Sequence, residues 1–170
     1  MTPSDSAASP AIFASAEQFR FLADMIPQLV WITDPTGYHI HFNQRWIDFT
    51  GYTLADSVGP DMWNNLLHPD DQQRARQVWG HALATGADYE IEYRFKAQDG
   101  SYRWFLGSAR PLRDAEGRIT TWFGTCTDIQ QQIELREQLE RAYADLEAKV
   151  TFRTLDLEHQ VQELKQRLGE

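Results

Sequence analysis

The stretch that decides the fold is Tyr89-Glu90-Ile91-Glu92-Tyr93-Arg94-Phe95-Lys96-Ala97-Gln98-Asp99-Gly100-Ser101-Tyr102-Arg103-Trp104-Phe105-Leu106. Tyr89, Ile91, Tyr93 and Phe95 alternate with charged residues, the period of two expected of a strand with one buried face. Asp99-Gly100 supplies the backbone freedom of a two-residue hairpin turn. Counting back from that turn sets Phe95 opposite Trp104 and Tyr93 opposite Leu106 on one face, with Arg94 opposite Phe105 on the other.

Working outward, the second strand extends to Leu112, Asp114–Gly117 turns, and Ile119–Thr127 reads as a last strand. Upstream, His68-Pro69-Asp70-Asp71 has the chemistry of a helix start, and that helix stops at Gly86. Further back, Phe19, Leu22, Ala23 and Ile26 suit a short amphipathic helix. Leu29–Thr33 and Tyr38–Asn43 read as strands joined by Asp34-Pro35-Thr36-Gly37, and Arg45–Phe49 is a short helix closed by Gly51. The order predicts an α+β fold, an antiparallel sheet with its helices gathered on one side.

The chain has 170 residues, 42% hydrophobic and 24% charged, the composition of an ordinary globular domain with an appendage. A net charge of −9 without a basic block argues against nucleic acid or an anionic membrane as partner. The longest apolar run, near Leu29–Ile32, is too short to span a bilayer, and no export signal opens the chain. The one cysteine, Cys126, excludes an internal disulfide and a cysteine-based zinc cluster, and fits a cytoplasmic setting. Composition divides the chain into a Ser/Ala/Pro-rich tail over 1–14, a globular domain over 15–128 and a segment over 129–170 free of proline and tryptophan.

Six short motifs then fall in order. They are Phe21-Leu22 with Trp31-Ile32-Thr33-Asp34-Pro35-Thr36-Gly37, Asn43-Gln44-Arg45-Trp46, Thr50-Gly51-Tyr52, His68-Pro69-Asp70-Asp71, Asp99-Gly100-Ser101-Tyr102-Arg103-Trp104, and Gly124-Thr125-Cys126-Thr127-Asp128-Ile129. Together the segment from Phe19 to Ile129 resembles a PAS domain. The resemblance implies a five-stranded antiparallel sheet flanked by helices, with a pocket between them that senses a small molecule, cofactor, light or redox state. At the Asp-Ile exit, where Gln130 replaces the family's threonine, Asp128 is expected to relay the domain's state into the next helix, either by capping that helix or by pairing with Arg103, the partner the resemblance favours.

Beyond that exit, Leu139, Tyr143, Leu146, Val150, Thr154, Leu157, Val161, Leu164 and Leu168 recur at spacings of three and four. This is a heptad seam with one extra four-residue step, a stutter, between Leu146 and Thr154. Such a long amphipathic helix has nothing in its own chain to bury its stripe against, so a parallel coiled-coil homodimer is expected. The segment from Leu146 to Glu158 also resembles the helices linking sensory domains to histidine-kinase or diguanylate-cyclase outputs.

His39 and His41 share a strand face at alternate positions but have no third ligand, so no metal is expected. The resemblance implies that a haem-binding member would place its axial ligand on the helix after His68-Pro69; His81 lies several residues too late and reads as a partly exposed helix residue. The resemblance implies that a flavin-photoadduct member would carry a cysteine near Asn64–Leu67, whereas Cys126 lies on the last strand as a core filler. Glu90 and Glu92, facing Arg94 and Arg103, suit a salt-bridged outer sheet face better than acid–base catalysis. His159 is followed by Gln160-Val161, unlike a kinase phosphoacceptor, and no catalytic motif appears.

What remains is the aromatic interior. Phe42, Trp46, Phe49, Trp63, Leu67, Val78, Tyr93 and Trp104 are the expected lining of a pocket for a small, mostly apolar ligand. The expectation is a non-enzymatic input module that binds a ligand or partner, dimerises, and acts on an effector elsewhere in its protein. A ligand-free dimerisation scaffold is the alternative.

Overall fold

The computed structural model describes residues 16–53, 55–57 and 65–169; the tail expected over 1–14 and the candidate Trp63 lie outside them. The chain divides into two compact units, Met1–Ile129 and Gln130–Glu170. In the first, α1 (Ala16–Met25) precedes β1 (Leu29–Thr33), β2 (His39–Phe42) and α2 (Gln44–Thr50). A 3-10 turn at Ala55–Ser57 and α3 (Pro69–Thr85) follow, then β3 (Tyr89–Lys96), β4 (Tyr102–Arg113) and β5 (Ile119–Asp128). The five strands form one antiparallel sheet in the order β2-β1-β5-β4-β3. The second unit is α4 (Gln130–Leu168), 39 residues or about 58 Å of helix.

The turns follow from their residues. Asp34 and Asp114 use a side-chain oxygen to accept N–H groups two and four residues on, and Gly37 and Gly117 take positive φ to close each turn. His68 caps α3 by accepting the Asp70 N–H at Nδ1, Pro69 starts the helix, and left-handed Gly86 ends it, as expected from the sequence.

The register of the decisive hairpin differs from the expectation. Tyr93 pairs with Phe105, Arg94 with Trp104 and Phe95 with Arg103. The turn is longer by one residue: Ala97 N–H donates to Ser101 O, Gly100 N–H donates to Ala97 O, and Gly100 sits at φ 87. Asp99 Oδ1 accepts both the N–H and the hydroxyl of Ser101, which fastens a three-residue loop in place of a two-residue one. A slip of one residue reverses a strand's faces. Phe105 therefore joins Tyr93 and Phe95 in the core, while Trp104 turns to the other face beneath the Arg94 guanidinium, 5.0 Å from its ring centre.

A second departure lies in β2. Trp31 pairs with Phe42 and Ile32 with His41, but Thr33 pairs with His39, so Ile40 is an extra residue in a β-bulge. The bulge breaks the alternation. His39 is buried, stacked on Phe42 with centroids 5.2 Å apart, whereas His41 lies against Phe19 of α1. The two histidines do not share a face.

Candidate functional site

The core between the sheet and α2/α3 is built of rings. Trp46 of α2 is sealed from solvent, stacks on Phe42 at 4.3 Å, meets Phe95 edge-on at 5.6 Å, and donates its indole N–H to Ser57 Oγ at 2.9 Å. Phe95 reaches Tyr93 at 4.6 Å and Phe105 at 5.6 Å, and Phe49 closes on Phe105 at 4.9 Å. Toward the other end, Trp79 of α3 stands edge-on to Trp31, Tyr89 and Trp122 at 5.5, 5.1 and 5.2 Å.

Two glycines make this packing possible. A Cβ on Gly107 would lie 2.3 Å from the Tyr93 hydroxyl, and one on Gly124 would lie 2.2 Å from the Trp31 ring. The bare backbone of β4 and β5 is what lets these two rings lie flat on the sheet.

Of the residues expected to line a pocket, Phe42, Trp46, Leu67 and Tyr93 are buried in this cluster, with Phe49 and Val78 packed against it. Trp104 is excluded by the hairpin register. The sequence reading missed Trp31, Phe95, Phe105 and Trp122, which are buried in the same cluster, and Trp79, which packs against it. For Phe95 the signal was the period-two pattern of β3; for Trp79 it was position on the α3 face one turn before Leu83.

Polar groups thread the same interior. The Tyr93 hydroxyl lies 3.2 Å from Cys126 Sγ. Burial pushes the Cys126 thiol up to about 12, against the opposing hydrogen bond from Tyr93, and raises Tyr89 and Tyr93. Burial pulls His39 down to about 4, against the charge of Asp34, so the ring is neutral at ordinary pH. The Trp122 indole N–H is buried and has no acceptor among the described residues.

Two further features hold the domain's ends. Asn43, 1% exposed, accepts the N–H groups of Val30 and Trp46 and donates to the carbonyls of Ala23 and Gln28, tying α1, β1 and α2 together. At the free edge of β3, His68 N–H donates to Arg94 O and Asp71 accepts from both the backbone and the guanidinium of Arg94 at 2.9–3.1 Å. Burial would raise the Asp71 carboxyl, but the Arg94 hydrogen bonds outweigh it and hold the group below its ordinary value. Arg94 is thus committed to Asp71 and Asp70, and Arg103 to Asp128. Glu90 and Glu92 have no ion pair with either arginine among the described residues, contrary to the expected salt-bridged face.

At the exit, Arg103 Nη2 meets Asp128 Oδ2 at 2.9 Å across the β4–β5 ladder, and Ile129 N–H donates to Trp104 O. In α4 every apolar seam residue is at least half exposed, from Val161 at 50% to Leu168 at 76%. His81 is exposed on α3 and does not fit a buried axial ligand. Among the described residues no group of three or more His, Cys, Asp or Glu is placed to hold a metal, and no helix is long and apolar enough to cross a membrane.

The family profile described as PAS fold matches residues 39–126, and the chain belongs to that family. It is 34% identical over 141 residues to the uncharacterized protein y4lL of Sinorhizobium fredii, covering 83% of this chain and 17% of that protein. It is 28% identical over 137 residues to the peroxide stress-activated histidine kinase mak1 of Schizosaccharomyces pombe, covering 80% of this chain and 8% of that one. The chain thus spans less than a fifth of either relative. Among solved structures, an RNA-binding light-oxygen-voltage receptor superposes with a TM-score of 0.65 at 21% identity, covering 84% of this chain and 42% of that one. At that identity the likeness speaks to the fold alone. This is a PAS sensory domain followed by a long C-terminal helix.

Proposed function

We propose that the chain is the input module of a longer signalling protein, with no catalysis of its own, in which the state of the PAS core acts through a parallel homodimer of α4 on an effector. The mak1 relationship favours a histidine kinase as that effector. One observation carries the reading: β5 runs from the sealed core at Trp122 and Cys126 to the Arg103–Asp128 pair and, one residue later, the chain enters a 39-residue helix whose apolar seam is exposed. Asp128 and Arg103 are the relay, and the seam from Leu139 to Leu168 is the dimer contact.

The ligand class that suits this interior is small and mostly apolar or aromatic, bearing at least one acceptor for the unpartnered Trp122 N–H. The ring packing around Trp46 and Phe95 favours a second reading, a scaffold that dimerises without a ligand. A flavin photoadduct has no thiol on the helices to form it, since Cys126 is the only cysteine.

Sedimentation and native mass spectrometry of the purified protein test both parts. The whole chain is expected to be a dimer. Leu157→Asp together with Leu164→Asp, or truncation after Asp128, should make it a monomer, because charges at a seam are costly to desolvate. A truncated domain that dimerises as tightly as the whole chain overturns the seam as the dimer contact. A co-purifying small molecule supports the sensor reading, and an empty dimer supports the scaffold.

A further inference from the structure

The charges beside the seam are sorted by sign. Seam residues Leu139, Leu146, Leu157 and Leu164 are each followed by the flank residues Glu140, Glu147, Glu158 and Lys165. On the other side, seam residues Tyr143, Val150, Thr154, Val161 and Leu168 are preceded by Ala142, Lys149, Arg153, Gln160 and Arg167. One flank is acidic but for Lys165; the other is basic or neutral without an acid. Eight steps from Leu139 to Leu168 average about 3.6 residues, so the seam and both flanks keep their places along a straight helix. Arg153 and Glu158 make no ion pair within α4 among the described residues, whereas Arg141, Lys149 and His159 are engaged one turn away with Glu137, Asp145 and Glu163.

We propose that this sorting is an orientation and register code for a second copy of the chain, with Arg153 of each copy paired to the partner's Glu158. The inference rests on the dimer proposed above. In a parallel, in-register pair, the residue before one seam position faces the partner's residue five further on. Arg153 then meets the partner's Glu158 twice by symmetry. Lys165, the exception on the acidic flank, meets the neutral Gln160, and Glu147 meets Ala142. No like charges face each other. An antiparallel pair sets the acidic flank against itself and the basic flank against itself, which selects against that arrangement. The pair also straddles the end of the stutter, where the apolar spacing alone would tolerate a slip of four residues.

The test uses the full chain. Arg153→Glu should weaken the homodimer about tenfold, since two attractions become two repulsions, and Glu158→Arg should do the same. Mixing the two variants should restore wild-type affinity as a heterodimer, because the carboxylate introduced at position 153 of one chain then faces the guanidinium introduced at position 158 of the other. Leu164→Cys should form an inter-chain disulfide in air, which requires parallel, in-register chains. A wild-type chain that is monomeric at all concentrations sinks the dimer reading itself. A wild-type dimer whose Leu164→Cys variant fails to cross-link, or whose charge variants fail to complement, overturns the code and leaves the dimer standing.

Discussion

The two units of this protein dispose of apolar surface in opposite ways. In the globular unit Trp31, Trp46, Tyr93, Phe95 and Trp122 are at most 1% exposed, and the ring partners described above lie within the same 129 residues. In α4 the nine-residue seam is apolar at eight positions, and each of those eight is at least half open. The globular unit buries its rings within itself, whereas the apolar seam of α4 lies open, and in the proposed dimer a second copy covers it. The stability of α4 should therefore depend on concentration, and that of the PAS core should not.

Core truncation gives the largest expected effect. Trp46→Ala removes the ring that Phe42 and Phe95 pack on and should cost about 3–5 kcal/mol in urea unfolding of the globular unit. The dimer should persist in sedimentation. If dimerisation falls with the core, the two units are not energetically separate and the comparison breaks.

Acid sharpens the same contrast. Folded, His39 stays neutral down to about 4, while in the unfolded chain it binds a proton near 6.5. Between those values the unfolded state holds more protons, so stability falls as pH drops from 6.5 toward 4, by about 3 kcal/mol across the window. His41, whose value burial also lowers, adds in the same direction. Urea midpoints measured from pH 7 to 4.5 should decline for the wild type and decline less steeply in His39→Phe, which keeps a ring beside Phe42 and leaves only the His41 contribution of the two. Equal slopes in the two proteins would remove His39 as the cause.

The smallest effect lies at the boundary. Both members of the Arg103–Asp128 pair are more than two-fifths exposed, so Asp128→Ala should cost under about 1 kcal/mol. If the pair nonetheless fixes the geometry of the exit, spin-label distances between the domain and α4 should broaden while the melting curve scarcely moves. Unchanged, narrow distances would show that Asp128 is no relay.

The difference between the units also explains what could be read in advance. Helix starts and stops at His68-Pro69 and Gly86, the alternation of β3 and the long helix α4 all come from local chemistry, and each stands where it is expected. Both errors of strand placement were single residues of backbone. Asp99 bound Ser101 and lengthened a turn by one residue, which moved Trp104 out of the interior and Phe105 into it. Ile40 was extruded as a bulge, which separated His39 from His41. Facing is a matter of odd or even count along a strand, so one extra residue inverts it, and composition carries no trace of that residue. The Asp71–Arg94 clasp joins residues 23 apart through the edge of β3, a contact that no local pattern announces.

Cys126 gives the protein its own clock. Its thiol is fully enclosed and held at about 12, so a thiol reagent at neutral pH finds neither access nor thiolate while the sheet is closed. Each modification event therefore counts one opening of β5 wide enough to admit the reagent. With fast reclosing, the labelling rate reports the open fraction of the domain in its native state. Because Cys126 is the only cysteine, that count comes from one site and requires no engineered probe.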